Sequence, residues 1–128
     1  MAAMNRFHAH VYFASGDLER ARFLVNRAGL MNLFELVKLH EQPIGPHPTA
    51  MIEVHFSEQF YIAALDWLEA NRGVFSVLIH QDTGDDFKNH TDGIQWLGKR
   101  MPLDFNFFEL IQIHPELEIH QRKTLTAT

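Results

Sequence analysis

Between Phe7 and Phe13 the chain alternates: Phe7, Ala9, Val11 and Phe13 fall on one side of an extended backbone, and His8, His10 and Tyr12 on the other. This predicts a first strand. The period then changes. Ser15, Gly16 and Asp17 offer helix-start chemistry, Leu18, Ala21, Leu24, Val25 and Ala28 recur at helical spacing, and Gly29 offers a stop. A second strand is predicted from Leu33 to His40 and a third from Thr49 to Phe56, joined by the Pro- and Gly-rich EQPIGPHP. Ser57 can cap a second helix whose apolar positions Phe60, Ala64, Leu65 and Leu68 share a face, ending around Asn71, Arg72 and Gly73. Val74 to His80 completes the set as a fourth strand. The order strand, helix, strand, strand, helix, strand predicts an α+β, ferredoxin-like βαββαβ sandwich. Right-handed crossovers give an antiparallel sheet of order 4-1-3-2 with both helices on one face.

Downstream, QDTGDDFKNHTDGIQWLG reads as a polar turn followed by a short helical segment, and MPLDFNFFELIQI as a further strand along an edge. Residues from Glu116 onward are polar and are expected to fray. One domain accounts for all 128 residues, with a core over about residues 6–105 and a C-terminal extension over 106–128.

Composition narrows the chemistry. Hydrophobic residues make up 46% and charged residues 21%, as in a folded soluble protein. Cysteine is absent, which excludes disulfides, thiolate metal sites and cysteine nucleophiles, so a bound metal must take nitrogen and oxygen donors. A net charge of −5 argues against nucleic acid. No signal-like segment or membrane-length apolar run is seen, so a cytoplasmic location without membrane association is expected. Nine histidines remain to be explained.

Their positions do more than their number. In the 4-1-3-2 order the first strand lies between the third and fourth and runs antiparallel to both, so its start sits beside their ends. A register that sets Glu53 opposite His10 also sets His55 opposite His8, and His80 closes the fourth strand at the same end. The opposite parity (Phe7, Ala9, Val11, Ile52, Val54, Phe56, Val77, Ile79) is apolar enough to receive the helices. The histidines therefore belong on the helix-free face. His8, His10, Glu53 and His80 are the candidate metal ligands, since imidazoles plus one carboxylate form the facial triad that keeps positions open on ferrous iron. The same donors suit zinc, and nickel is a further substitute. His55 could orient a ligand, Glu53 could instead pair with Arg6, and His47 and His90 lie on loops. His40, His114 and His120 carry no partner signal.

The strings FHAHVYF, IGPHPTAMIEVHF, NRGVFSVLIHQDTGDD and NHTDGIQWLG, in this order from about Phe7 to about Asp104, resemble the fungal DOPA 4,5-dioxygenases and their bacterial relatives. The resemblance implies an extradiol-type dioxygenase that opens a catechol such as DOPA with O2 on a non-haem ferrous ion. It matches His10, His47, His80 and His90 as the motif histidines, with His8 beside them. The family pattern places a proline after the histidine that ends the fourth strand, where this chain has Gln81. His47 and His90 are the candidate catalytic groups for moving the catechol proton. Arg6, Arg20, Arg22 and Arg72 are the cations available to hold a substrate carboxylate. A homodimer through the exposed sheet face is expected. The competing reading is a non-catalytic ferredoxin-like dimeric binding module with an incidental metal patch.

Overall fold

The computed structural model describes residues 4–90 and 93–104, without the side chains of Asp86 and Phe87. The C-terminal extension expected over 106–128 lies outside the described residues. Five strands form one antiparallel sheet: β1 (Arg6–Tyr12), β2 (Leu36–His40), β3 (Met51–Ser57), β4 (Ser76–Gln81) and β5 (Gln95–Leu97). Their order is β2-β3-β1-β4-β5. The first four reproduce the expected 4-1-3-2 order read from the other edge, and β5 extends the sheet beyond β4. The edge strand expected from MPLDFNFFELIQI is thus supplied earlier, by Gln95–Leu97. Met101–Asp104 form no strand, and the rest of that segment lies outside the described residues.

Boundaries move by a few residues for local reasons. β2 begins at Leu36 rather than Leu33, because pairing with β3 starts at Leu36↔His55. Helix α1 (Leu18–Gly29) follows a 3-10 turn over Ser15–Asp17, in which the Asp17 amide donates to the Ala14 carbonyl at 2.8 Å. A second 3-10 turn, Glu58–Phe60, leads into α2 (Tyr61–Asn71). Gly73, two residues past α2, takes a left-handed φ of 59° that an L side chain would resist. A short helix, α3 (Asp86–Asn89), matches the helical segment expected there.

The principal core lies between the helices and the odd-parity face of β1. Ala9 and Val11 meet Ile52, Val54 and Phe56 of β3 and Val77 and Ile79 of β4, under Ala21 and Leu24 of α1 and Ala64 and Leu68 of α2. Alternation of period 2 against helical stripes puts the apolar atoms in one layer.

The other face differs from the open surface expected of it. Tyr12, Ile44, Met51 and Leu78 are buried as a second apolar cluster, with Ile94, Trp96, Met101 and Leu103 packed against it. The loop before β3 and the segment after α3 therefore close this face from within the same chain. Sequence periodicity could not show this, because all the covering residues but Trp96 lie in irregular segments.

Candidate functional site

Register fixes the layout of the covered face. One row across the sheet reads Leu36, His55, His8, His80; the next reads Lys38, Glu53, His10, Leu78, Trp96; the third reads His40, Met51, Tyr12, Ser76. Central β1 thus places His8 between two histidines and His10 one row deeper. Loops bring two more. The turn Ile44–His47 closes with the His47 amide donating to the Ile44 carbonyl at 3.1 Å, with Gly45 at a φ of 56°. At α3, Asp85 accepts from the Lys88 amide, and the buried Asn89 carboxamide oxygen accepts from the Thr83 amide at 3.1 Å, which fixes the residue next to His90.

Among the described residues five imidazoles are buried, and four of them, His10, His47, His80 and His90, gather in one cluster. The His10 ring centroid lies 4.1 Å from His47, 5.1 Å from His80 and 5.9 Å from His90, and His80 and His90 are 4.5 Å apart. His10 Nε2 and His80 Nε2 stand 3.0 Å apart. Three of the rings are held from behind. His80 Nδ1 is 3.1 Å from the Gln81 carbonyl oxygen and His10 Nδ1 is 3.4 Å from Met51 Sδ. The Gln81 carbonyl only accepts, so His80 Nδ1 carries the proton and, in the neutral ring, His80 Nε2 presents its lone pair toward His10. The Tyr12 hydroxyl lies 2.7 Å from His47 Nδ1, which turns His47 Nε2 toward the same space.

Electrostatics reinforce this arrangement. Burial, together with His47, His80, His90 and His8, holds the His10 pKa well below the ordinary imidazole value, so the ring is neutral, the form that can ligate a metal. Two nitrogens each about 2.1 Å from one ion, at right angles, would be about 3.0 Å apart. The donor set therefore fits a divalent metal. Burial also pushes the Tyr12 phenol well above its ordinary range, so it stays a neutral hydroxyl.

His8, His10 and His80 offer donor atoms within 4.8 Å of one another, as do His10, His47 and His90, and as do His8, Glu53 and His55. The chain thus brings three of the four expected ligands together, but Glu53 groups with His8 and His55. Its carboxylate is bonded by His40 Nε2 at 2.9 Å and by His55 Nε2. Burial would raise the Glu53 pKa, but the hydrogen bonds and charges of these two histidines outweigh it and hold the carboxyl far below its usual range. Both loop histidines join the cluster directly. Arg6 does not pair with Glu53; it pairs with Glu35. Arg20, Arg22 and Arg72 lie against Asp17, Glu19 and Glu69, so none of the four arginines is committed to the histidines.

Sequence reasoning missed His40, Met51 and the Tyr12 hydroxyl. All three lie in the third row, and a β2–β3 register would have exposed them, since His40 opposite Met51 is diagonal to Glu53.

Known proteins resemble this chain. An uncharacterized 21.2 kDa protein of Botryotinia fuckeliana is 32% identical over 119 residues, 83% of this chain and 64% of its own length. The DOPA 4,5-dioxygenase of Amanita muscaria is 26% identical over 110 residues, 79% of this chain and 48% of its own. The chain spans less than two thirds of either relative. A crystal structure of a candidate dioxygenase from Nostoc punctiforme superposes with a TM-score of 0.72 at 34% identity, covering 84% of this chain and 94% of that one. Among the described residues no helix is long and apolar enough to cross a membrane. The Dopa 4,5-dioxygenase family profile matches residues 7–107, most of the chain and every strand of its sheet, and the protein belongs to that family.

Proposed function

We propose that the buried imidazoles hold a ferrous ion and that the protein opens the ring of a catechol with dioxygen, as a member of a dioxygenase family would. The observation that carries the reading is the 3.0 Å approach of His10 Nε2 and His80 Nε2 within a cluster of buried imidazoles. Imidazoles converging at the spacing that a shared ion would set favour a divalent cation as their partner. His10 and His80 are assigned as ligands with His47, whose donor atom groups with those of His10 and His90, in place of the His8 and Glu53 expected alongside His10 and His80; His8 also lies within reach of His10 and His80. Bound iron would supply Lewis acidity toward the catechol oxygens and redox activity toward dioxygen.

The protein's own groups do the rest. Gln81, Met51 and Tyr12 hold the Nδ1 side of the three ligands, which sets ring orientation before anything binds, and the Gln81 carbonyl also fixes the His80 tautomer. His90, buried beside His80 and His47, is assigned to take the catechol hydroxyl proton at its ring nitrogen and return it to the product, because a neutral imidazole does both near neutral pH. Tyr12, Met51 and Leu78, with Trp96 over them, exclude water from the third row. The dimeric binding module finds less support, since the part of the face around Tyr12, Met51 and Leu78 is covered from within the same chain.

Anaerobic loading with ferrous iron, then a catechol series including DOPA and admission of air, tests the reading: a yellow ring-opened product and stoichiometric oxygen uptake are expected. His10→Ala and His80→Ala should each lose bound iron and turnover together. Full activity in either variant would remove the site assignment, and no oxygen uptake with any catechol would remove the reaction.

A further inference from the structure

We propose that the rim of the histidine face carries a second, solvent-reachable divalent-cation site, formed by His8, Glu53 and His55 and suited to zinc. His8 and His55 are directly opposed across β1 and β3, and their rings stack at 3.7 Å with planes 7° apart. Glu53 lies two residues before His55 on the same strand face, so the pleat alone sets a carboxylate oxygen beside both imidazoles. One donor atom from each of the three lies within 4.8 Å of the other two. Unlike the four buried imidazoles, these side chains keep part of their surface in solvent: 15% for His8, 13% for Glu53 and 26% for His55. The rim site therefore differs from the inner one in depth and in charge, since it includes an anion and the inner set has none.

Two neighbours make it a built site. His40, itself buried, holds the other Glu53 oxygen at 2.9 Å, so the carboxylate is aimed from behind in the manner of an outer-shell partner. Asp82 Oδ2 stands 3.3 Å from His8 Nε2 and adds negative potential on the solvent side. Two imidazoles and one carboxylate, with room for solvent, match an open three-ligand zinc site, and imidazole-rich donors favour zinc over magnesium or calcium. The inference does not depend on which reaction the inner cluster performs.

The test is zinc stoichiometry on the chelator-stripped full chain, by calorimetric titration and by elemental analysis after dialysis. Two equivalents are expected for the wild type. Glu53→Gln, which is isosteric, and His55→Ala should each lose one equivalent, whereas His80→Ala should keep the rim equivalent, with circular dichroism confirming that each variant is folded. Two equivalents retained in both Glu53→Gln and His55→Ala would overturn the proposal. If the wild type binds one equivalent, its loss in Glu53→Gln with retention in His80→Ala upholds the rim site and removes the inner one. The reverse pattern overturns the rim site and leaves the inner reading standing. A wild type that binds none overturns the rim site.

Discussion

Replacing Tyr12 by Phe removes one oxygen atom from the molecule and isolates what that atom does. The hydroxyl lies 2.7 Å from His47 Nδ1, and the phenol ring is buried against Met51 and Leu78, so Phe keeps the packing and deletes only the hydrogen bond. Losing a typical hydrogen bond costs about 0.5–1.5 kcal/mol, and stranding a buried polar partner raises the cost to about 1–3 kcal/mol. The His47 ring, no longer pinned at Nδ1, would sample orientations in which Nε2 misses the cluster. Loss of such an outer partner typically weakens metal binding about 10–100-fold, equivalent to about 1.4–2.8 kcal/mol. Two measurements read the two effects separately: urea unfolding of the metal-free chain for stability, and competition against a chelator of known affinity for metal binding. Metal affinity unchanged within twofold would refute the role given to Tyr12, and with it the assignment of His47 as a ligand.

Two further outcomes follow from the structure. The metal-free chain should lose stability on acidification: the folded-state pKa of His10 is depressed, so the stability it contributes is complete above the unfolded value near 6.5 and falls as pH drops toward the folded one. The slope for this one group is at most about 1.4 kcal/mol per pH unit, and urea midpoints that stay level from pH 7 to pH 5 would contradict it. Phe56, fully buried between Phe7 and Phe34, should cost about 3–5 kcal/mol when replaced by Ala; a thermal midpoint within a degree or two of wild type would show that the core collapses around the gap.

The layered fold was legible because its signals are local and repeat. Alternation from Phe7 to Phe13 identified β1, and the parity shared by Val54, Phe56, Val77 and Ile79 chose the helix-bearing face. The same parity, with the antiparallel register, placed His55 opposite His8 and Glu53 opposite His10. Where the sequence fell short, the missing information was non-local. Nothing in Gln95–Leu97 marks three residues as a strand until Leu78 is found opposite Trp96. The pull of His40 on the Glu53 carboxylate depends on a diagonal contact between β2 and β3, and the burial of His47 and His90 on loops whose path no periodicity encodes.

The cluster is assembled half from strands and half from loops, and the two halves differ in how easily they come apart. His10 and His80 ride on the interior strands β1 and β4, paired on both edges. His47 and His90 ride on connecting segments outside the ladder of the sheet. Local opening of those segments would reach the strand-borne imidazoles without unfolding the sheet. Substitutions confined to those two segments can re-tailor which guests are admitted, leaving the foundation of the pocket untouched.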